Sequence, residues 1–152
     1  MNRDESSTNL IRKHLRVLRD QHGGSLDAAC VHCGLCCFAH VPVEGGRPIL
    51  IRSLRCKFLA VDAGGQSRCT VYADRHEKAP WCKNLEEAIT EEIFPQACPY
   101  VERYGGYQGP QQLDEEGYRE AEARLRAAWR DRPPEPFADP DEWQAFMNGG
   151  AR

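Results

Sequence analysis

The sequence has no long hydrophobic run and no strong excess of charge of either sign. None of its apolar stretches approaches the ~20 residues that a membrane-spanning helix requires, so we expect no membrane span. Its 23 acidic and 20 basic residues leave a formal net charge of -3 at pH 7. That balance gives no reason to expect a nucleic-acid partner for the chain as a whole. Residues 1–7 are polar and lack the apolar segment of a signal peptide, so we expect a cytoplasmic protein.

The common catalytic and nucleotide-binding motifs are also missing. No glycine-rich loop matches the phosphate-binding P-loop, and no Gly-x-Gly-x-x-Gly sequence follows a predicted strand. No Ser, His and Asp residues stand out as a catalytic set. The acidic residues at 86–87 and 91–92 predict a solvated helix face, with a hard-metal site as the alternative. We therefore predict no catalytic residues, and a role without enzymatic activity is favoured.

The hydrophobic core is expected to be small. A chain of 152 residues is one domain in the usual size range, but its mean hydropathy is only -0.65. Domains with little apolar surface to bury often need a further source of stability, such as disulfides or a bound metal.

Four of the eight cysteines lie within eight residues. Positions 30–37 read Cys-Val-His-Cys-Gly-Leu-Cys-Cys, and we call this stretch the cysteine motif. Its two-residue spacings let neighbouring cysteines curl around one centre, and Gly34 supplies a tight turn. A cytoplasmic protein keeps its cysteines reduced, and clustered reduced cysteines favour a metal over disulfides. All eight are predicted metal ligands: Cys30, Cys33, Cys36, Cys37, Cys56, Cys69, Cys82 and Cys98.

Two kinds of metal centre compete for these thiolates. Four thiolates complete one tetrahedral zinc site or one four-iron cluster, so the cysteines suffice for two centres. Ferredoxin-like chains hold a [4Fe-4S] cluster with Cys-x2-Cys-x2-Cys and a remote Cys-Pro. The matching residues here are Cys30, Cys33, Cys36 and Cys98 before Pro99. Zinc would use the same thiolates without redox chemistry, and sulfur ligands alone do not separate the two metals. A thiol-redox or copper site is a further alternative.

The adjacent pair Cys36 and Cys37 restricts how the ligands can be shared. Neighbouring side chains of an extended backbone point to opposite sides, and closing both thiolates on one ion would need a strained small ring. We therefore expect one of the two to face a different centre, a different metal of a cluster, or no metal. The cysteines left for a second centre or for structure are Cys37, Cys56, Cys69 and Cys82. His32 and His40 lie near the motif and could replace a cysteine, but a hydrogen-bonding or surface role is favoured for both.

Short strands are predicted after the cysteine motif. Residues 38–43 and 49–51 are irregular or edge strands, because prolines lie beside them. Residues 56–61 and 68–72 read as a second hairpin with a glycine-containing loop. This hairpin would bring Cys56 and Cys69 close together.

Four helices are predicted from apolar residues at helical spacing and from end signals. The first ends at Gly23-Gly24 and has one apolar stripe, formed by Leu10, Ile11, Leu15 and Leu18. The second is capped by Asn84 and stopped by Pro95. Two more begin after the capping residues Asp114 and Asp139.

Together these features predict a small α+β, metal-organised irregular domain with short β-hairpins and flanking helices. We divide it into an N-terminal amphipathic helix (1–24), a cysteine-cluster metal-binding domain (25–104) and a C-terminal helical extension (105–152). A thiolate metal site can contribute ~10–16 kcal/mol to folding, against ~5–15 kcal/mol for the stability of a whole domain. We therefore expect the chain without metal to be largely unfolded around residues 30–98.

The cysteines and their neighbours resemble the bacterial and archaeal Cys-x2-Cys-x2-Cys-Cys family, described as a zinc- or iron-chelating domain. Three stretches carry the resemblance: the cysteine motif, Cys56 before Phe58-Leu59, and Cys69-Thr70-Val71-Tyr72. It covers roughly residues 30–100 and implies chelated zinc or iron. The family usually continues from the tyrosine through Arg-Pro to its next cysteine, whereas here His76 follows Arg75 and Cys82 comes later. Relatives of the motif occur in flagellin lysine methylases, but no cofactor motif supports that activity here.

Three functions are compatible with the sequence. The first is a metal-binding protein holding an iron–sulfur cluster, with a structural role that electron transfer could accompany. The second is a zinc-stabilised interaction module whose end helices meet a protein partner. The third is an accessory subunit of a modifying enzyme. No residue pattern names a substrate or a pathway.

Overall fold

The computed structural model describes residues 5–131, 133 and 136–149. Along that part of the chain, the helices are α1 (Glu5–Gln21), α2 (Arg75–Lys78), α3 (Leu85–Thr90), α4 (Glu115–Asp131) and α5 (Pro140–Met147). Four strands form two separate antiparallel pairs: β1 (Phe38–Val41) with β2 (Ile49–Arg55), and β3 (Leu59–Val61) with β4 (Ser67–Cys69). Short 3-10 turns cover Asp27–Ala29, Leu35–Cys37 and Tyr72–Asp74. The predicted small α+β class with short hairpins and helices at both ends is confirmed.

The β1–β2 hairpin differs from the prediction at both strands: β1 ends at Val41, two residues before the predicted end, and β2 is longer than predicted. Val41 pairs with Ile49 and His40 with Leu50, and a bulge interrupts the register between Phe38 and Ala39. Strand β2 continues to Arg55, four residues past the predicted end. Its polar outer residues at 52–53 obscured this continuation, because they break the run of apolar side chains.

The β3–β4 hairpin is shorter than predicted. Leu59 pairs with Cys69 and Val61 with Ser67. The predicted strand at 56–61 loses its first three residues, because a turn brings the Leu59 N–H back to donate to the Cys56 carbonyl (3.0 Å). The predicted strand at 68–72 ends at Cys69, and a turn at residues 70–71 leads into the 3-10 turn Tyr72–Asp74.

Helix α1 packs its apolar stripe against a first hydrophobic cluster. Ile11, Leu15 and Leu18 are buried there with residues of α3 and of the segment 93–107. Leu10 was predicted in the same stripe, but 57% of it is exposed. Its position next to Ile11 turns it about 100° away from the buried line on a helix of 3.6 residues per turn.

Helix α3 begins at its predicted cap but ends early. The Asn84 side chain accepts a hydrogen bond from the Glu87 N–H (2.8 Å), and the Glu87 carboxylate accepts one from the Asn84 N–H (3.2 Å). The helix ends at Thr90, well before Pro95. Glu92 then adopts a left-handed backbone (φ +56°), which the sequence does not signal.

The C-terminal helices pack on the β1–β2 hairpin in a second hydrophobic cluster. Leu125 of α4 and Phe146 of α5 are buried with Ile51 and Leu54 of β2. Helix α5 starts as predicted, because the Asp139 carboxylate accepts hydrogen bonds from the first-turn N–H groups. Within the described residues, none of the helices combines the length and apolarity needed to cross a membrane.

Candidate metal centre

The cysteine motif is a tight loop held against strand β4. Gly34 has φ +77°, in the left-handed region that favours glycine, and it starts the 3-10 turn Leu35–Cys37. The Cys37 N–H donates to the Gly34 carbonyl (3.0 Å), and the Ser67 N–H donates to the His32 carbonyl (2.8 Å). A Cβ atom on Gly34 would lie 2.5 Å from Ser67 Oγ. The loop therefore fits against β4 only with glycine at this position.

Cys36 and Cys37 occupy the 3-10 turn rather than extended backbone. The premise that the two side chains point to opposite sides assumed an extended backbone and was therefore wrong. The two thiols hydrogen-bond to each other. This bond lowers the pKa of Cys36 and raises the pKa of Cys37, because Cys37 holds the shared proton.

Cys30 and Cys98 lie against the first hydrophobic cluster. The His32 N–H donates to Cys30 Sγ (3.3 Å), and a backbone hydrogen bond from Tyr100 reaches Cys98. Burial raises the pKa of Cys98 to about 12, with further contributions from Cys36, Cys33 and Cys30. Burial raises the pKa of Cys30 for the same reason, and Cys36 and Cys33 add to it. These four thiols therefore interact electrostatically.

Cys37 and Cys56 lie at the second hydrophobic cluster. The Cys56 N–H donates to the Cys37 carbonyl (2.8 Å), which fixes the two backbones side by side. The charges of Cys56 and Cys69 both contribute to the raised pKa of Cys37. Burial raises the pKa of Cys82, and the charges of Cys69, Cys36 and Cys56 raise it further. Cys37, Cys56, Cys69 and Cys82 thus interact with one another, and Cys36 interacts both with them and with Cys30 and Cys98.

Trp81 is a neighbour of Cys56 that the sequence did not single out. Its indole Nε1–H donates to Cys56 Sγ (3.3 Å). Its ring stacks on Phe58 (6.2 Å between centroids) and meets Phe137 at 5.6 Å. The only available signal was its place directly before Cys82.

All eight cysteines are free thiols, which is the donor set that zinc and iron–sulfur clusters take. As the side chains stand, no three His, Cys, Asp or Glu residues among those described form a group that could hold a metal ion. A zinc ion needs its four sulfurs at about 2.3 Å. The thiols are therefore suitable donors by their chemistry. Each can rotate between three staggered positions, and such rotation would be needed to close them around a metal.

Three histidines make hydrogen bonds with backbone groups or with a thiol. His40 is half-buried, and its Nδ1 is 3.2 Å from the Phe38 carbonyl oxygen. Burial lowers the pKa of His40. His32 contributes its backbone N–H to Cys30, while its side chain is exposed. His14 is half-buried, places Nε2 2.7 Å from the Tyr100 carbonyl oxygen and tilts against the Tyr104 ring.

A polar contact near Cys30 was also not anticipated. The Tyr72 hydroxyl donates to Asp27 Oδ1, and the Arg75 guanidinium lies 4.1 Å from the centre of the Tyr72 ring. Burial and the bond to Asp27 raise the pKa of Tyr72 to about 12. The contact joins the turn before the cysteine motif to the turn after β4.

Known proteins similar to this chain carry names that state no activity. It is 33% identical over 76 residues to a UPF0260 protein of Gluconobacter oxydans, covering 49% of this chain and 45% of that protein. It is 33% identical over 85 residues to an uncharacterized protein of Methanocaldococcus jannaschii, covering 55% of this chain and 59% of that protein. It is also 33% identical over 90 residues to a UPF0260 protein of Granulibacter bethesdensis, covering 58% of this chain and 51% of that protein. The chain thus spans about half the length of the curated relatives it matches. No protein-family model and no solved structure matches it.

Proposed function

We propose that this protein binds metal through its eight cysteines and holds an iron–sulfur cluster with a structural role. The observation that carries the proposal is the set of eight free thiols, in which Cys30 of the motif and the distant Cys98 pack against the same hydrophobic cluster. Electron transfer is the additional role that such a cluster would permit. The cytoplasm is the proposed location, because thiols stay reduced there.

The first physical argument for a bound metal is the protonation state of the grouped thiols. Burial and neighbouring thiols raise the pKa of Cys30, Cys82 and Cys98, so without a cation these groups hold their protons at neutral pH. A bound cation reverses this preference, since metal ligation stabilises the thiolate. The N–H groups that point at Cys30 and Cys56 would support negative sulfur in the same way.

The pattern of ligands favours iron–sulfur over zinc. Cys30, Cys33 and Cys36 have the ferredoxin-like spacing, and Cys98 supplies the remote Cys-Pro. After burial, the charges of Cys36, Cys33 and Cys30 add to the raised pKa of Cys98, which supports grouping the four in one cluster. When bound, such a cluster supplies one-electron chemistry, which zinc does not.

The proposal is tested by isolating the protein without oxygen and measuring iron, acid-labile sulfide and zinc per chain, together with the visible spectrum. We expect a brown protein with iron and sulfide in near-equal amounts. Folded protein that contains neither iron nor zinc would overturn the proposal. The free thiols should be counted in the same sample, so that loss of metal through cysteine oxidation is not mistaken for a lack of metal affinity.

A zinc-stabilised interaction module is the second candidate. Helix α1 exposes Leu10 (57%) and Val17 (48%), which lie two turns apart on one face. Such apolar side chains suit contact with a protein partner. Colourless protein with stoichiometric zinc would favour this candidate over the iron–sulfur protein.

A further inference from the structure

A cavity of about 480 Å³ opens between strand β2 and the first half of helix α4. That volume lies within the range of pockets that hold small molecules. The lining comes from residues 51–53 of β2, from one face of α4 and from Leu113, which precedes that helix. It contains no cysteine, so the cavity is a different site from the candidate metal centre.

A large bulge in β2 forms one wall of the cavity. Phe38 pairs with Arg55, whereas Ala39, the next residue of β1, pairs with Ile51. Within the described hairpin, residues 52–54 therefore have no partner in β1, and a strand bends at such a place. Neighbouring side chains of a regular strand point to opposite faces, yet residues 52 and 53 both line the cavity.

The floor of the cavity carries a buried carboxylate. Glu122 is only 7% exposed and lies between the buried Ala121 and Leu125 of α4. The Ser53 hydroxyl donates a hydrogen bond to Glu122 Oε2. Ile51, which is also buried, supplies the apolar part of the floor. A few placed polar groups among apolar side chains are typical of small-molecule sites.

The rim of the cavity carries charges of both signs. Glu115 is exposed, but its carboxylate is paired with Arg119 (2.8 Å). Arg52 is also exposed, and across the described ranges it takes part in none of the ion pairs. The half-buried Leu113 and Tyr118 line the remaining wall. Arg52 is therefore the cation that an anionic group of a ligand can meet.

We propose that this cavity binds a free α-amino acid with an apolar side chain. The ammonium group of the ligand binds the Glu122 carboxylate, and its carboxylate binds the Arg52 guanidinium, which can donate two parallel hydrogen bonds. Arg52 directly precedes Ser53, the residue that contacts Glu122. Both charged groups are thus anchored at one part of the wall, as the closely spaced charges of an α-amino acid require.

The apolar lining receives the side chain of the ligand. Ile51 and Leu113 offer aliphatic surface, and Tyr118 offers the face or edge of a ring. A simple amine would meet Glu122 but would forgo the pair with Arg52. A simple carboxylic acid would bring a second negative charge toward a buried carboxylate, which is unfavourable. The zwitterion satisfies both charged groups.

Isothermal titration calorimetry of the anaerobically isolated full chain tests this inference. The probes are L-leucine and L-phenylalanine, together with two analogues of leucine that each lack one charged group. Isoamylamine lacks the carboxylate, and isocaproate lacks the ammonium group. We expect saturable binding of both amino acids, and each analogue should bind at least about tenfold more weakly than leucine.

Two variants assign the charged groups to their partners. Glu122→Gln keeps the size of the side chain and an acceptor for Ser53, and it should weaken leucine and isoamylamine by about tenfold or more but not isocaproate. Arg52→Gln should weaken leucine and isocaproate but not isoamylamine. Arg124→Gln is the matched control, because Arg124 is exposed on the same helix and does not line the cavity. Its affinities should equal those of the unaltered chain.

Three outcomes would overturn the inference. One is the absence of saturable binding for both amino acids, and another is equal affinity for leucine and its two analogues. The third is a loss in either variant that is the same for all three ligands. If Glu122→Gln does not fold, the unaltered chain and the rim variant Arg52→Gln still decide. The metal content of the chain does not enter these comparisons, so their failure leaves the proposed function untouched.

Discussion

Replacing Gly34 with alanine is predicted to destabilise the protein in two separable ways. The first is backbone strain, because φ is +77° at this position and a non-glycine residue in the left-handed region costs about 1–2 kcal/mol. The second is a steric clash with strand β4. The new Cβ would lie 2.5 Å from Ser67 Oγ and 2.8 Å from Ser67 Cβ.

The clash cannot be relieved by a simple side-chain rotation. Ser67 is only 6% exposed, and its backbone N–H is bonded to the His32 carbonyl. Leu59 stands behind it, with Cδ2 at 3.3 Å from the same Cβ position. Overpacking of this kind costs about 1–3 kcal/mol, so the total for Gly34→Ala is about 2–5 kcal/mol.

Gly23→Ala is the matched control. Gly23 has φ +67°, but nothing lies within 4 Å of its Cβ position. This variant should therefore lose only the strain, about 1–2 kcal/mol. The reduced conformational freedom of the unfolded chain affects both variants alike and cancels in the comparison.

The assay is urea unfolding of the anaerobically isolated protein, followed by far-UV circular dichroism. We expect Gly34→Ala to be less stable than Gly23→Ala by about 1–3 kcal/mol. Gly34→Ala should also hold less metal, because Gly34 starts the turn that carries two cysteines. Equal free energies of unfolding for the two variants would refute the reasoning on the loop packing.

Three further predictions concern the scaffold around the thiols. Asn84→Ala removes the reciprocal cap with Glu87 and should lower the free energy of unfolding in urea by about 1 kcal/mol; no change would contradict the cap. Phe146→Ala should lower it by about 3–5 kcal/mol, because Phe146 is 2% exposed in the second cluster; a loss below about 1 kcal/mol would place that residue outside a packed core. The pKa of Tyr72 is raised to about 12, above the ordinary value of about 10, so its protonated form favours the fold. Its contribution should be complete below pH 10 and lost as the pH rises through 12. Tyr72→Phe should therefore show a smaller fall in melting temperature over that interval than the unaltered chain, and an identical fall would contradict the contact with Asp27.

The sequence predicts the features that short-range chemistry determines. The caps at Asn84 and Asp139 require only a polar side chain and the N–H groups of the next three residues, so local sequence identifies them. The apolar stripe of α1 follows from helical spacing, apart from Leu10. The existence of the two hairpins is predictable from alternating residues and turn signals, but the residues at which their strands begin and end are not.

Features that depend on distant contacts were not predictable. Strand β2 extends to Arg55 because α4 and α5 pack on it, and its outer residues give no sign of that. Glu92 is left-handed where its carboxylate accepts hydrogen bonds from the N–H groups of residues 108–109, far along the chain. The spacing of the cysteines suggests a ligand type, but the assignment of Cys30 and Cys98 to one core and Cys56 to another exists only in three dimensions.

The claim that metal organises the region 30–98 is tested most directly by hydrogen–deuterium exchange with and without metal, at constant reduction of the thiols. The informative amides are those of Cys56 and Ser67, which donate to Cys37 and His32 at 2.8 Å each. We expect both to be protected in the metal-loaded protein and to exchange rapidly after metal removal, because the proposed function makes the folded loop depend on a bound metal. Unchanged protection of both amides in metal-free, fully reduced protein would contradict the claim.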